Sequence, residues 1–505
     1  MTMKCSLDFL LKATGLDVPT AFENVPVESI SCDSRSVHKG GLFFGLAGEQ
    51  VDGGCFWRQA ISHGAVAAII SKAAASVDPP NSEDMVFVVP DQVSYWMGEM
   101  ASVFWDKPSL KMDLIGVTGT NGKTTVTYLI EHLSSQCGLS CALFGTLVNR
   151  WPGHTEIANH TTAFGDVLQS KLSKAVISGT RLGAMEVSSH ALAQSRVAGC
   201  NFAGAIFTNL TQDHLDYHHS MEAYFASKSL LFQSPLLKKG NSRVVVNVDD
   251  PWGYRLSKDL KEVCWRASLK QDVIESISPE LFISNIKMSL NGVEGVLHSP
   301  MGNGRFQTSL IGRFNLMNLL EAIGALLQRG IPLETLLLSL RDFPGVPGRM
   351  EQICLEGSLP KVIVDYAHTP DGLENVLKTL RSFVSGNLYC VFGCGGDRDR
   401  GKRAKMGHIA QKYADNIILT SDNPRTENPR QILDDIMDGM TTQDELTIEG
   451  DRAIAIHEAI LLAFPGDIVL IAGKGHEDYQ ILGEETIKFD DREIARKALL
   501  LKLNS

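Results

Sequence analysis

The chain has 505 residues, more than a single hydrophobic core ordinarily supports, so two to four domains are expected. A composition of 44% hydrophobic and 21% charged residues is typical of a globular protein and excludes fibrous repeats and extended disorder. The formal net charge of -11 argues against a general nucleic-acid coat, although local basic pockets can still bind anions.

The ten cysteines are scattered, and the two closest pairs, Cys137/Cys141 and Cys390/Cys394, lack metal-knuckle spacing. Reduced thiols in a cytosolic compartment are therefore expected. The N-terminal stretch has no long apolar core followed by a small-residue cleavage site. No apolar run approaches the roughly 20 residues needed to cross a bilayer. We expect a cytoplasmic protein without a membrane span.

The first predicted domain contains short alternating segments and the turn-rich run Cys32-Asp33-Ser34-Arg35, and it ends near residues 105–108. Residues 114–117 then read as a buried strand, which a Gly-rich turn follows. Apolar residues at helical spacing come next, namely Val126, Leu129, Ile130 and Leu133. The pattern predicts a strand, a phosphate loop and a helix.

A second boundary is predicted at residues 343–348, where two prolines and two glycines follow an amphipathic stretch over 318–327. Beyond it, four apolar segments are typical of buried parallel strands: 362–364, 388–392, 416–419 and 468–471. One helix face between the first two is marked by Leu373, Val376, Leu377 and Leu380. This alternation predicts a doubly wound sheet with ligands at the carboxyl ends of its strands.

The Gly-rich turn is Gly119-Thr120-Asn121-Gly122-Lys123-Thr124. In such a loop, backbone N–H groups encircle phosphate, the lysine contacts the outer phosphates and the hydroxyl binds magnesium, so ATP is the implied ligand. Val117 occupies the first glycine position of the strict pattern. A chance Gly-Lys-Thr turn is the alternative, but the strand before it and the helix after it favour a phosphate loop.

Two polar segments follow the loop, Met185-Glu186-Val187-Ser188-Ser189-His190 and Asp213-His214-Leu215-Asp216-Tyr217-His218-His219. Acidic and imidazole side chains at strand ends near a phosphate loop can hold the magnesium ions of phosphoryl transfer. They can equally be solvated loop residues, and spacing alone does not choose between the two.

Motifs spread over essentially the whole chain share one order with a known family. They are residues 119–124, 186–190, 213–218, 312–315, 348–351, 365–370 and 473–477. Together they resemble the Mur ligases, specifically those acting on UDP-N-acetylmuramoyl-L-alanyl-D-glutamate. The resemblance implies three α/β domains. These are an N-terminal UDP-binding domain (1–107), a central P-loop ATPase-like domain with a parallel or mixed sheet (108–343) and a C-terminal Rossmann-like, doubly wound domain (344–505).

The resemblance also implies substrate contacts. Those to ATP are expected from Gly119, Thr120, Asn121, Gly122, Lys123, Thr124, Thr125, Asn318, Arg349 and Asp365. Those to the UDP-muramoyl dipeptide are expected from Cys32, Ser34, His160, Thr161, Thr162, Ser188, Gln194 and Arg196, with Glu49-Gln50-Val51 nearby. Ala163 stands where relatives often have proline.

By the same resemblance, magnesium is held by Thr124, Glu186, His214 and a carbamylated Lys228, while Lys123, Glu186, His214 and Lys228 are catalytic. An ammonium would repel magnesium, whereas a carbamate offers an anionic oxygen. A solvated helix lysine is the alternative for Lys228. His368, in the motif 365–370, is either a base or a residue that packs a turn.

Residues 422–425, Asp-Asn-Pro-Arg, narrow the choice of amino acid. Alone they are good turn formers, and a surface turn is the alternative. Because they follow the predicted strand at 416–419, a ligand is expected beside them. In such a ligase they resemble the signature for meso-diaminopimelate over lysine, since Arg425 would bind the extra carboxylate. The contacts implied are Arg398, Asp422, Asn423, Pro424, Arg425, Gly473 and Glu477.

The resemblance thus implies a monomeric, ATP-dependent ligase of peptidoglycan synthesis that acts on small molecules through an acyl phosphate. The nearest alternatives are a lysine-adding relative, which residues 422–425 disfavour, and a folylpolyglutamate synthetase, which the muramoyl-binding matches disfavour. A non-catalytic Mur-like binding protein would be expected to have lost one of the catalytic residues.

Overall fold

The computed structural model describes residues 5–18, 22–48, 51–90, 92–237, 243–260, 264–442 and 445–504. The chain divides into two compact units. The first comprises Met1–Thr118, Ser134–Ile206 and Ala226–Val244, and the second comprises Gly119–Leu133, Phe207–Phe225 and Val245–Ser505. Within the described ranges, no helix is long and apolar enough to cross a membrane.

The N-terminal segment carries a small parallel sheet. This sheet consists of β3 (Ser29–Ser31), β4 (Gly41–Phe44), β5 (Ala65–Ser71) and β6 (Val86–Val89), and a separate antiparallel pair consists of β1 (Cys5–Ser6) and β2 (Pro26–Val27). The helices of this segment are α1 (Leu7–Ala13), α2 (Trp57–Ser62), α3 (Lys72–Val77) and α4 (Val93–Phe104). β3 to β6 pair in chain order, all parallel. Core clusters cover both faces of β4 and β5, which explains their continuous apolar sequence.

The central segment carries a mixed sheet. Its strands are β7 (Asp113–Thr118), β8 (Cys141–Phe144), β9 (Val148–Trp151), β10 (His154–Ile157), β11 (Leu182–Glu186), β12 (Gly204–Phe207), β13 (Arg243–Asn247), β14 (Cys264–Ser268), β15 (Leu281–Ser289), β16 (Gly292–Ser299) and β17 (Gly302–Thr308). The strand order is β10-β9-β8-β11-β7-β12-β13-β14-β15-β16-β17. β7, β8 and β11 are parallel, whereas β15, β16 and β17 form antiparallel pairs.

The central helices are α5 (Lys123–Gln136), α6 (Gly165–Ile177), α7 (Ser189–Ala193), α8 (Leu215–His218), α9 (Met221–Ser229), α10 (Pro251–Leu260), α11 (Gln271–Ile277), α12 (Arg313–Leu327) and α13 (Leu333–Ser339). The predicted strand and helix around the phosphate loop are confirmed as β7 and α5. All four apolar residues that predicted α5 are buried. Their spacing places them on one helix face, which explains why this sequence folds as an amphipathic helix.

Helix α12 corrects one expectation from the sequence. The stretch over 318–327 reads as amphipathic, but every residue from Asn315 to Leu327 is buried. The helix packs against β14, β15 and α13, so it has no solvent-facing side. Its polar residues, among them Asn318 and Glu321, are therefore interior groups.

The C-terminal segment is the predicted doubly wound domain. Its strands are β18 (Glu351–Ile353), β19 (Lys361–Asp365), β20 (Leu388–Phe392), β21 (Asn416–Leu419), β22 (Leu446–Ile448), β23 (Ile468–Ala472), β24 (Tyr479–Leu482) and β25 (Glu485–Lys488). Its helices are α14 (Pro370–Arg381), α15 (Arg403–Tyr413), α16 (Pro429–Met437), α17 (Arg452–Leu462) and α18 (Asp491–Asn504).

The main C-terminal sheet has the order β18-β19-β23-β20-β21-β22, and only β18 runs antiparallel to its neighbour. One core cluster contains residues of α14, α15 and α16, and the other contains residues of α17 and α18. The helices therefore cover both faces of the sheet. The chain reverses its direction across the sheet between β22 and β23, so the carboxyl ends of β19, β23 and β20 border the crevice where such folds bind ligands.

Candidate active site

The phosphate loop connects β7 to α5, and its glycines adopt backbone angles that other residues rarely reach. Gly119 has a φ of 150° and Gly122 a φ of 92°. A β-carbon on Gly119 would clash with Thr208, and one on Gly122 would clash with Asn318. The Nζ of Lys123 donates to two loop carbonyl oxygens at 2.9 Å each, so the ammonium is held by the loop itself.

Two neighbouring elements anchor the loop. The side chain of Asn209 accepts from the backbone N–H of Asn121 at 2.9 Å, and its carbonyl accepts from that of Thr120 at 2.9 Å. On α14, the carboxylate of Asp371 accepts from the Asn121 side chain at 3.2 Å. Burial raises the pKa of Asp371, and the hydrogen bond from Asn121 opposes that rise. The loop is therefore preformed.

A cavity of about 510 Å³ opens beside the loop, within the usual range of small-molecule sites. Its polar lining includes Asn121, Asn209, Asn247, Asp249, Asp250, Asn315, Asn318, Arg349, Asp365, Asp371 and Asn375. The side chain of Asn318 donates to Asn315 at 3.3 Å, and Asn315 donates to the carbonyl of Ile311 at 2.9 Å. These bonds fix the amide of Asn318 on the cavity wall.

Arg349 reaches the phosphate loop from the segment before β18. Its Nη2 lies 3.4 Å from Oγ1 of Thr124, and its guanidinium stacks over the Tyr366 ring at 4.4 Å. Its Nε has no hydrogen-bond partner among the described residues. Asp365 accepts from the backbone N–H of Met350 at 2.6 Å. Burial raises the pKa of Asp365, while the charge of Arg349 opposes this rise.

Asp213 is a buried carboxylate between two histidines. Its Oδ2 lies 3.4 Å from Nε2 of His214 and 3.8 Å from Nε2 of His368. Burial alone would raise the pKa of Asp213, but the interactions with His368 and His214 and the charge of Lys402 hold it well below its usual range. His368 also contacts the Tyr366 carbonyl oxygen through Nδ1 at 2.8 Å, so it links two loops.

Glu186 ends β11 and is only 1% exposed. Its two carboxylate oxygens accept from the backbone N–H and the hydroxyl of Thr146, both at 2.9 Å. A β-carbon on Gly145 would clash with this carboxylate. Lys228 lies on α9 and is also 1% exposed, so the solvated-lysine alternative does not hold.

The implied magnesium ligands occur in both units, Glu186 and Lys228 in the first and Thr124 and His214 in the second. Among the described residues, no group of three or more His, Cys, Asp or Glu side chains is arranged to hold a metal ion. Magnesium usually keeps several waters and takes only one or two carboxylates together with substrate phosphates. The fixed carboxylate of Glu186 suits that kind of binding.

Four of the residues expected at the muramoyl peptide meet around Thr162. The Thr162 hydroxyl donates to the Glu186 carbonyl at 2.8 Å and accepts from the Ser188 N–H at 3.1 Å. Arg196 donates to the Thr162 carbonyl at 3.2 Å and to the Gln194 side chain at 2.9 Å. The hydrogen bonds join this cluster directly to the end of β11.

Phe164 joins His160 to the same cluster. The Arg196 guanidinium lies over its ring at 4.1 Å, and the His160 ring packs edge-on at 5.6 Å. Burial and then the charge of Arg196 lower the pKa of His160, so this imidazole is neutral at pH 7. The Thr161 hydroxyl lies 3.1 Å from the Thr146 hydroxyl.

Cys32 and Ser34 occupy the loop after β3. The backbone N–H of Cys32 donates to Asp166 at 3.3 Å, and the Ser34 hydroxyl donates to a glutamine of α2 at 3.1 Å. Burial, assisted by Asp166, raises the pKa of the Cys32 thiol to about 12, so it is an unreactive thiol. Glu49 and Gln50 lie outside the described residues.

Residues 422–425 follow β21, at the carboxyl edge of the sheet, as predicted. Asn423 forms the centre of a hydrogen-bonded group there. Its Oδ1 accepts from Nζ of Lys474 at 3.2 Å and from the N–H of Ile481 at 3.0 Å, and its Nδ2 donates to Oε2 of Glu477 at 2.9 Å. Lys474 Nζ also lies 3.0 Å from that Glu477 oxygen.

Arg425 and Arg398 also lie at this edge. Arg425 has a φ of 52°, and its Nη1 donates to the Gly396 carbonyl at 2.7 Å, the one side-chain hydrogen bond that Arg425 makes with the described residues. Arg398 is exposed and donates to a neighbouring carbonyl at 2.8 Å. Gly473 has a φ of 114°, and a β-carbon there would lie 2.7 Å from an Asp422 oxygen.

A fully buried ion pair between Arg452 and Asp491 stabilises these loops. Arg452 donates to both carboxylate oxygens of Asp491, at 2.8 and 2.7 Å. The same guanidinium reaches the carbonyl of Ala472 at 3.0 Å and that of Ser421 at 3.5 Å. It therefore ties the end of β23 to the loop after β21, immediately before Asp422.

Several of these residues were missed from the sequence. Thr146 and Asp371 do not belong to any recognised motif. Arg452 and Asp491 are far apart in the chain, so their pairing is not apparent from the sequence. Lys474 lies inside the motif 473–477, so the motif itself was the available signal.

Family models match most of the chain. The Mur ligase family catalytic domain matches residues 26–105, the Mur ligase middle domain matches 117–326, and the Mur ligase glutamate ligase domain matches 348–475. Two relatives are named UDP-N-acetylmuramoyl-L-alanyl-D-glutamate--2,6-diaminopimelate ligase. The protein from Prochlorococcus marinus (strain SARG) is 67% identical, covering 99% of this chain and 100% of its own. That from Thermosynechococcus vestitus is 52% identical, covering 95% and 94%.

Solved structures of Mur ligases also resemble this chain. One titled as the structure of a UDP-N-acetylmuramoyl-L-alanyl-D-glutamate--2,6-diaminopimelate ligase has a TM-score of 0.69 and 35% identity and covers 99% of both chains. The MurF ligase from Thermotoga maritima, solved in complex with ADP, has a TM-score of 0.61 and 15% identity, covers 94% and 96%, and shares the fold. On its full-length relatives and matching domains, the chain belongs to the Mur ligase family.

Proposed function

We propose that this chain is the ATP-dependent ligase that joins meso-diaminopimelate to UDP-N-acetylmuramoyl-L-alanyl-D-glutamate in peptidoglycan synthesis, as a cytoplasmic monomer. The position of residues 422–425 is the observation that supports diaminopimelate as the amino acid. They lie at the ligand edge of the C-terminal sheet, where Asn423 is hydrogen-bonded to Glu477. The full-length relatives named for this reaction support the proposal.

We assign UDP binding to residues 1–107, ATP binding to 108–343 and amino-acid binding to 344–505. The three family models, which match within these limits, support the assignment. The contacts of Arg349 and Asp371 with the phosphate loop imply that the third segment also contributes to ATP binding.

ATP binds in the cavity beside the phosphate loop. Residues 119–125 hold its phosphates, and Lys123 and Arg349 neutralise the charge that develops as the γ-phosphoryl group transfers. Asn318 lies on the wall that suits the nucleobase, because its amide is fixed and offers both a donor and an acceptor. Asp365 orients the backbone next to Arg349.

Thr124, Glu186, His214 and Lys228 as its carbamate would hold magnesium, which would supply positive charge to the phosphate oxygens. Carbon dioxide adds to the neutral amine of Lys228 with loss of a proton, which gives an anionic carbamate. The burial of Lys228 supports this modification, since an ammonium is costly to bury next to a cation site.

The D-glutamyl carboxylate of the acceptor attacks the γ-phosphorus of ATP, giving an acyl phosphate and ADP. The amine of diaminopimelate then attacks the acyl carbon, and the tetrahedral intermediate releases phosphate as the amide forms. The cluster around Thr162 holds the acceptor, together with Cys32, Ser34, His160 and Thr161. Its hydrogen bond to the Glu186 backbone supports this role, because it positions the acceptor loop by the catalytic carboxylate.

Selection of the amino acid depends on its far end, where diaminopimelate carries a carboxylate that lysine lacks. Arg425, with Arg398, pairs with that carboxylate, while Glu477 and Asp422 attract the ammonium. Asn423, Pro424 and Gly473 shape the same pocket. Lysine would leave Arg425 desolvated without a partner, a strong basis for rejection.

The test incubates the protein with ATP, magnesium, the nucleotide dipeptide and either diaminopimelate or lysine, and follows phosphate release and product mass. We expect ligation with diaminopimelate only. Lys123→Ala is the control for background phosphate. Absence of tripeptide product with both amino acids would refute the ligase assignment, and equal rates with both would refute the choice of substrate.

A further inference from the structure

Lys474 is fully buried at the amino-acid edge of the C-terminal sheet, which is unusual for a lysine. Its ammonium contacts Oε2 of Glu477 at 3.0 Å and Oδ1 of Asn423 at 3.2 Å, and it lies 5.4 Å from the centre of the Tyr479 ring. A buried ammonium persists only when charge and hydrogen bonds compensate its lost hydration. The contacts with Glu477 and Asn423 therefore provide this compensation for Lys474.

The contacts of Lys474 fix how the pocket presents its polar atoms. An ammonium only donates hydrogen bonds, so Asn423 must turn its oxygen toward Lys474 and its NH₂ toward Glu477. Oε2 of Glu477 contacts both neighbours, whereas Oε1 makes no hydrogen bond with the described residues and can accept one from a ligand. The negative charge of Glu477 is already shared with an internal cation.

We propose that Lys474 is a positioning residue that sets selectivity between diaminopimelate and lysine, an inference that rests on the proposed function. Both amino acids offer an ammonium to Glu477, but the far end of lysine is net positive, whereas that of diaminopimelate also carries a carboxylate and is net neutral. Because Lys474 shares the Glu477 carboxylate, it weakens the attraction of Glu477 for the net positive end of lysine more than for the neutral end of diaminopimelate. Binding then depends on the carboxylate that only diaminopimelate offers to Arg425.

The experiment measures kcat/KM for diaminopimelate and for lysine, and the KM for ATP, in four full-length proteins: unchanged, Lys474→Met, Glu477→Gln, and the double variant. Lys474→Met should lower the preference for diaminopimelate at least about tenfold, with the KM for ATP unchanged within about twofold. In the Glu477→Gln background, the same substitution should change the preference less than about threefold, because Lys474 acts through Glu477.

Lys488→Met is the matched control, since it removes a lysine that is 77% exposed on the same domain. If Lys474→Met does not fold because Glu477 is left unpaired, Lys474→Gln replaces it, as it keeps a donor without the charge. An unchanged preference in the folded variant, or equal effects with and without Glu477, overturns the inference. Absence of any ligation by the unchanged protein would instead refute the proposed function.

Discussion

Glu321 allows a quantitative test of how helix α12 is buried. Its carboxyl group is fully buried, and neither oxygen has a hydrogen-bond partner among the described residues. Burial, with the charge of Asp250, raises the pKa of Glu321 well above its usual range. In the unfolded chain the same group has a pKa of about 4.3. The folded protein therefore retains a proton that the unfolded chain releases.

This difference makes the protein less stable as pH rises. Above the unfolded pKa, the unfolded state binds fewer protons than the folded state, so the free energy of unfolding falls. Each pH unit between the two pKa values corresponds to about 1.4 kcal/mol, and two units correspond to about 3 kcal/mol. The stabilisation is complete below the unfolded pKa and is lost once pH passes the folded pKa. Glu321→Gln removes this proton linkage.

The measurement is hydrogen exchange of α12 peptides in graded urea, between pH 5 and pH 7, because a multidomain chain need not unfold in one step. The difference between the unfolding free energy of Glu321→Gln and that of the unchanged protein should grow as pH rises, by up to about 1.4 kcal/mol per pH unit. Glu334→Gln, an exposed change on α13, is the control. A pH-independent difference would show that the Glu321 carboxyl is ionised when folded and would refute the reasoning.

Three further predictions concern the site. Arg425→Ala should raise the KM for diaminopimelate by about 100-fold and leave the KM for ATP unchanged, as measured by steady-state kinetics. Equal increases in the two KM values would contradict the pocket assignment. Arg452→Met should destabilise the C-terminal domain by about 3–5 kcal/mol in urea unfolding, while adding Asp491→Leu should recover most of the loss; no recovery would mean the pair is not coupled. Lys228→Ala should lose activity, and intact mass of the unchanged protein in bicarbonate should include one added CO₂; an unmodified amine with full activity would exclude the carbamate.

The sequence predicted the C-terminal fold well because its strands are buried on both faces. Such strands must be continuously apolar, and the four predicted segments correspond to β19, β20, β21 and β23. The prediction for α12 was wrong in burial because its polar side chains are interior, and a sequence pattern cannot distinguish an interior Asn318 from a solvent-facing one.

For the site, the motif order predicted the family, which the comparisons confirm, and it identified loops that the fold brings to strand ends. The residue roles remain predictions. The contacts that hold the site residues in place could not be predicted from the sequence, for a physical reason. Thr146 holds Glu186, and Arg452 holds Asp491, across 40 and 39 positions of the chain. No local periodicity records such tertiary pairs, whereas a turn or a helix face depends on neighbours in sequence.

The hydrogen bond between Asn121 and Asp371 bears on how such ligases can be recombined. The first turn of α14 contacts the phosphate loop, while the opposite face of that helix packs in the C-terminal core. A chimaera joined at residue 344 to gain a new amino-acid specificity would import a foreign partner for Asn121. Recombinant ligases of this kind should therefore inherit altered nucleotide affinity unless the acid at position 371 is carried across.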